Sequence, residues 1–334
     1  MTVWVEFLTG AGLIILAGTR LSRYADRIAT RTGVGGAFIG FILLATVTSL
    51  PELAVSATSI VAVGSPDLAI GGLLGSNTFN LAIIVLLDIL HRSGPLLQKV
   101  YPGHVLSAGL GVMFIGTVSS LILFYEHGGV FEIFGVGLSS FIFVGIYIVA
   151  VRLIFRYDRR SRAATDDGGE TAGRGRIGGL VLKTAAAAAV IVAVGIWLSL
   201  TGEKIAAATG WGDSFVGSLF LAAATSLPEA VVSIGALRLG RADMAISNLL
   251  GSNLFNMVTI ALCDVLYRPG ALLAYVSPAG LMSGLTALVM TGIVITALVY
   301  RTGTKSALRV GAEAVALGFV YLTGSYFLFV LSSR

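Results

Sequence analysis

Charge is scarce in this sequence. Only 12% of its 334 residues are Asp, Glu, Lys or Arg, about half the ~25% usual for soluble domains. The single cysteine, Cys263, excludes a disulfide within the chain and, sitting in an apolar run, reads as a packing residue. Three histidines, His91, His104 and His127, lie near the ends of apolar segments and are assigned no metal. No Lys or Arg precedes Arg20. The first apolar stretch, roughly 3 to 18, therefore lacks the basic start of a signal peptide and reads as a retained helix.

Long hydrophobic runs stand in their place. Apolar residues make up 56% of the chain and the mean hydropathy is +0.93. Runs of ~20 apolar residues point to a polytopic membrane protein. The runs are continuous, without the inside/outside alternation of a barrel, so the expected fold class is all-α. Ten segments can be read, near 3–19, 34–63, 67–91, 103–124, 130–152, 178–200, 213–238, 242–267, 275–299 and 306–331. The charged, Gly-rich stretch 156–177 reads as a linker between residues 1–155 and 178–334, five helices each.

Basic residues test that layout. With the N-terminus outside, 19 of the 22 Lys and Arg fall in inside connections, leaving Lys204, Arg268 and Arg334 outside. This is the asymmetry of the positive-inside rule, and it makes the linker cytoplasmic. The basic pI of 9.5 thus reflects topology and implies no nucleic-acid partner.

The two halves are copies. "TGVGGAFIGFILLATVTSLPELAVS" aligns with "TGWGDSFVGSLFLAAATSLPEAVVS", and "DLAIGGLLGSNTFNLAIIVLLDILHRSG" with "DMAISNLLGSNLFNMVTIALCDVLYRPG". An odd number of helices per half makes equivalent helices cross in opposite directions, giving an inverted-topology repeat. Transporters place a midplane site where such repeats meet, with helices broken at the site.

The repeated motifs carry the chemistry. Most acidic residues lie in loops or at helix ends, but Glu52 and Glu229 fall about halfway along apolar segments. A carboxylate there costs roughly 2.5–3.5 kcal/mol by insertion scales. Pro51 and Pro228 disturb the preceding turns, which is expected to free carbonyls at Ala45, Thr48, Ala222 and Thr225. Carboxylates, hydroxyls and carbonyls form an all-oxygen environment suited to hard cations such as calcium and sodium. A blander reading is a capping box, Ser49-x-x-Glu52 and Ser226-x-x-Glu229, which can coexist with ligation. In the second motif, GSNTFN and GSNLFN, Ser76 and Asn80 share a helix face, as do Ser252 and Asn256. Small residues there also favour close helix packing. Asp88 and Asp264 are expected to pair with Arg92 and Arg268, four residues on.

These motifs resemble those of the sodium/calcium exchanger branch of the cation/calcium exchanger superfamily, whose two inverted repeats each carry Thr-Ser-x-Pro-Glu/Asp and Gly-Ser-x-x-x-Asn/Asp. The resemblance covers about 60 residues per half. It implies calcium ligation by Glu52, Glu229 and the carbonyls of Thr48 and Thr225. It further implies flanking sodium sites from Ser49, Ser76, Ser226 and Ser252 with the carbonyls of Ala45 and Ala222, and a central position lined by Asn80 and Asn256. Val47 and Ala224 stand where many relatives have Gly, and Asn256 where several have Asp. The implied function is calcium-for-sodium antiport by alternating access in a prokaryotic inner membrane, with no cofactor. Alternatives using the same site are calcium/proton or potassium-dependent exchange and, more distantly, a cation channel. An intramembrane enzyme would need a nucleophile or metal-hydrolase constellation, and the sequence offers none.

Overall fold

A computed structural model describes residues 2–129, 131–164, 178–209, 222–277, 280–300 and 310–332. Nine helices among them are long and apolar enough to cross a membrane. Eight are continuous: α1 (Thr2–Thr32), α3 (Pro66–Leu90), α4 (His104–Glu126), α5 (Leu138–Ala164), α6 (Gly178–Thr209), α8 (Ala242–Leu266), α9 (Gly280–Val299) and α10 (Ala312–Ser332). The ninth, α2, spans Gly36–Val63 in pieces. The tenth expected segment appears as α7, in two parts, Ala222–Thr225 and Leu227–Arg238; its predicted start, 213–221, lies outside the described residues. Helices suit a bilayer because each satisfies its own backbone where water is absent.

Several boundaries differ from the expected ones. Helix α1 continues thirteen residues beyond 19, carrying Arg20, Arg23, Arg27 and Arg31 past the apolar run. The chain before α5 forms a small antiparallel hairpin, Glu132–Ile133 with Val136–Gly137, where a helix was expected from 130. Helix α5 runs to Ala164, into the stretch read as linker, and 165–177 lie outside the described residues. Hydropathy marks where a helix is buried in lipid, whereas helical hydrogen bonding carries on through Arg and Ala, both good helix formers.

Helices α3 and α8 cross at the centre, and α8 is the more enclosed. Helix α8 also packs on α4 and α5, and α3 on α9 and α10, so each half's central helix is clasped by the other half's outer helices in matching fashion. Helices α1 and α6 pack on each other at one side, α1 also on α7 and α6 also on α2. Close approach needs glycine in two places. A Cβ on Gly40 would lie 2.5 Å from the Met244 carbonyl oxygen, and one on Gly251 would lie 2.6 Å from that of Phe41.

Four aspartates repeat the symmetry in hydrogen bonds. Asp88 accepts from the amides of Leu96 (2.7 Å) and Gly311 (2.8 Å), while Asp264 accepts from those of Leu272 (2.6 Å) and Gly137 (2.8 Å) and from Ser140 Oγ (2.5 Å). Asp67 accepts from Ser277 N and Asp243 from Tyr101 N, both at 2.6 Å. The expected partnership of Asp88 and Asp264 with Arg92 and Arg268 is thereby corrected. Both carboxylates bind backbone amides of other segments, where loop N–H groups at the membrane edge need acceptors.

Candidate cation site

The site begins with two helix breaks. Helix α2 is helical over Ala45–Thr48, leaves helical geometry at Ser49 (φ −90°, ψ 2°) and restarts at Leu50–Thr58. Helix α7 repeats this at Ser226 (φ −86°, ψ 6°). Pro51 and Pro228 sit in the first turn of each restarted helix, where a missing N–H costs least. Helix α2 has in addition two π-helical turns, Gly40–Leu44 and Ser59–Val63, a distortion common near functional sites.

Two of the four carbonyls expected to be freed, those of Ala45 and Ala222, remain within the helical hydrogen bonding, accepting the amides of Ser49 (3.0 Å) and Ser226 (2.9 Å). A proline removes the bond to the carbonyl four residues earlier, which here means Val47 and Ala224. A carbonyl keeps a second lone pair, so Ala45 and Ala222 remain available as acceptors.

The capping box is also absent. Ser49 and Ser226 stand at the N-cap positions without a side-chain cap hydrogen bond. Instead each hydroxyl crosses to the other half. Ser49 Oγ donates to Glu229 Oε1 at 2.9 Å, and Ser226 Oγ donates to Glu52 Oε1 at 3.1 Å. Ser252 Oγ also donates to Glu229 Oε1, at 3.3 Å. The threonines cross likewise: Thr225 and Ser76 hydroxyls share a hydrogen bond at 3.3 Å, and those of Thr48 and Ser252 at 3.5 Å.

One helical turn further along α3 and α8 lies a square of amides. Asn80 Nδ2 donates to Asn253 Oδ1, and Asn256 Nδ2 donates to Asn77 Oδ1, both at 3.0 Å. Asn77 and Asn253 donate to each other's backbone carbonyl, at 3.4 and 3.3 Å. The amide orientation follows from this network: with both nitrogens donating, the Asn80 and Asn256 oxygens are left over. Asn77 and Asn253 were missed as site residues, although each occupies the same place in its copy of the repeated motif. Asn248 was missed as well. Its Nδ2 donates to Ser233 Oγ (2.9 Å) and the Glu229 carbonyl (3.5 Å), bracing the second glutamate.

Every residue singled out beforehand is at most 3% exposed: Ala45, Thr48, Ser49, Glu52, Ser76, Asn80, Ala222, Thr225, Ser226, Glu229, Ser252 and Asn256. Four buried oxygens in this group have no hydrogen-bond partner: Glu52 Oε2, Glu229 Oε2, Asn80 Oδ1 and Asn256 Oδ1. They form two repeat-related pairs. Among the described residues no Lys, Arg or His forms an ion pair with either glutamate. Nor do three His, Cys, Asp or Glu side chains converge among them. The donor set is therefore two carboxylates amid neutral hydroxyl, amide and carbonyl oxygens, which can neutralise and surround a hard cation. His104, by contrast, lies away from it and bonds through Nε2 to Asp243 Oδ1 at 2.9 Å.

Comparison with known proteins agrees with this architecture. A family model described as sodium/calcium exchanger protein matches residues 2–156 and 180–331. The inner membrane protein YrbG of Escherichia coli (strain K12) is 25% identical over 330 residues, 96% of each chain. Sodium/potassium/calcium exchanger 5 of Homo sapiens is 37% identical over 68 residues, 20% of this chain and 13% of that one. A solved structure of the sodium-calcium exchanger NCX_Mj, soaked with Na+ and Ca2+, superposes with a TM-score of 0.69 at 18% identity, covering 97% of each chain.

Proposed function

The chain belongs to the sodium/calcium exchanger protein family, and on that premise we propose that it is an antiporter exchanging calcium for sodium at the Glu52–Glu229 site. The observation that carries the reading is the set of four buried oxygens left without donors, two carboxylate and two amide, between two inverted helix breaks. Glu52 and Glu229 supply the charge for calcium. The carbonyls of Thr48 and Thr225 complete its shell, and Ser49, Ser76, Ser226 and Ser252, with the Ala45 and Ala222 carbonyls, serve sodium. Asn80 and Asn256 line the centre.

Charge balance makes exchange obligatory. One Ca2+ or at least two Na+ neutralise the two carboxylates, whereas a bare pair stays uncompensated in a low-dielectric interior. Crossing between outward- and inward-open states is favoured only when the site is loaded. The packing of α1 and α6 on each other, outside the α2–α3–α7–α8 centre, supports a sliding of these two helices that opens the site to alternate sides. The positive-inside asymmetry orients the N-terminus outward, and the named location of YrbG supports an inner membrane for this chain too.

Reconstituted protein should take up 45Ca under an outward sodium gradient and stall without one. Calcium flux indifferent to counter-ion gradients would overturn the antiport reading. A second reading is favoured by one observation: among the described residues the side chains that donate to the two glutamates are neutral hydroxyls, so protons can neutralise them as sodium does. Uptake driven by a pH gradient without sodium would select it.

A further inference from the structure

Helices α1 and α7 enclose a groove of about 370 Å³, lined by Ile15, Val231, Ile234 and Leu239 along its walls and by Arg23 and Arg238. Its volume falls within the ~300–1,000 Å³ typical of small-molecule sites. Both arginines mark one membrane surface. The apolar run of α1 ends at Gly18, just before Arg20, and Arg238 is the last residue of α7. Asp26, the carboxylate one turn beyond Arg23, is held by Arg241 at 2.5 Å. Among the described residues neither Arg23 nor Arg238 forms an ion pair.

The repeat supplies an internal control. The alignment that pairs Gly18 with Gly195 and Pro51 with Pro228 places Leu200 opposite Arg23 and Val61 opposite Arg238. Those equivalents are exposed, at 45% and 68%. The positions of Arg23 and Arg238 thus hold two guanidiniums beside an apolar groove where their repeat equivalents are apolar. Guanidinium is well matched to phosphate through paired N–H donors.

We propose that the α1–α7 groove binds one anionic phospholipid, its phosphate on Arg23 and Arg238 and an acyl chain against Ile15, Val231, Ile234 and Leu239. The site is one-sided, because the repeat-equivalent positions, Leu200 and Val61, carry no cation. It joins α1 to α7 where Ser22 Oγ already donates to the Val232 carbonyl at 2.8 Å. The proposal holds whichever ions are exchanged.

Native mass spectrometry of the full chain, titrated with phosphatidylglycerol, tests it. One phosphatidylglycerol should stay bound, about 30-fold more weakly in the R23Q/R238Q variant, given the contribution expected of two arginines near a lipid headgroup. Phosphatidylcholine should bind the wild type no better than that variant binds phosphatidylglycerol. Ile234→Trp, which keeps both charges and fills the groove, should also reduce retention while leaving the thermal midpoint unchanged. Equal retention by wild type and R23Q/R238Q, equal binding of phosphatidylcholine, unchanged retention in Ile234→Trp, or displacement by millimolar inorganic phosphate would each overturn the site.

Discussion

The two halves present the same chemistry on unequal scaffolds. Glu52 and Glu229, with their crossed serines, threonines and central asparagines, match nearly atom for atom. Behind them the halves diverge. In α8, Ser247 and Asn248 occupy the positions that Gly71 and Gly72 hold in α3. Asn248 ties the Glu229 carbonyl to Ser233, and Thr48 Oγ1 reaches its Oδ1 at 3.5 Å. Around Gly71 and Gly72, a Cβ would meet nothing within 4 Å. The proposed ion site uses the same oxygens in both halves, whereas the contacts behind it differ. The second half carries an amide brace that the first lacks, so the two access states of an exchanger built this way need not have equal energy.

The largest expected effect tests the shared chemistry. Glu52→Gln and Glu229→Gln should each lower sodium-driven calcium uptake by at least about 100-fold, since on the proposed reading each removes a carboxylate that binds the ion directly, a larger loss than that of a supporting partner. A Gln variant that transports normally would remove that glutamate from the site.

Next come the amides. Asn80→Ala and Asn256→Ala should cost about 10–100-fold in apparent calcium affinity, and Asn253→Ala about 10-fold by releasing Asn80. Titration of calcium-dependent uptake reads all three. If Asn253→Ala leaves affinity unchanged, the amide square does not orient its members.

Stability then separates the scaffolds. Asn248→Gly, which gives the second half the residue of the first, should destabilise by about 1–3 kcal/mol, because Ser233 and the Glu229 carbonyl lose their buried partner. Gly72→Ala should be neutral or slightly stabilising, by up to about 1 kcal/mol, since the methyl has room and helix propensity rises. Detergent thermal unfolding measures both, and equal effects would erase the claimed asymmetry. Gly251→Ala should be far worse than Gly72→Ala, because its methyl would meet the Phe41 carbonyl oxygen.

The last test concerns the serines. Ser49→Ala and Ser226→Ala should each lower stability by only about 0.5–1.5 kcal/mol, yet change ion affinity. A stability loss with unchanged affinity would restore the capping interpretation.

Much of this was legible in the sequence because it is written along one helix. The breaks at TSLPE, the repeat and the helix faces shared by Ser76 and Asn80 or Ser252 and Asn256 all depend on local spacing. What crosses between halves was not legible. Ser49 meets Glu229, and Asn80 meets Asn253, through a pseudo-two-fold that spacing does not encode. Asn77 and Asn253 nevertheless left a trace, as polar residues duplicated at one motif position. Asn248 left none, having a glycine as counterpart. Helix lengths failed for a different reason: hydropathy reports lipid contact, and α1 and α5 continue as helices beyond it.

The aspartate contacts bear on how the chain is assembled. Asp264 finds Gly137 already synthesised, but Asp88 must await Gly311, 223 residues later. At ribosomal speeds of about 5–20 residues per second that delay is roughly 10–45 s. Through that interval the first half is inserted with one end of its central helix still lacking that contact, which the residue preceding α10 then supplies. Truncations that spare the proposed ion site but remove the chain from Gly311 onward deprive Asp88 of that amide donor, and immunoblots of membrane fractions should show less inserted protein than for the full chain.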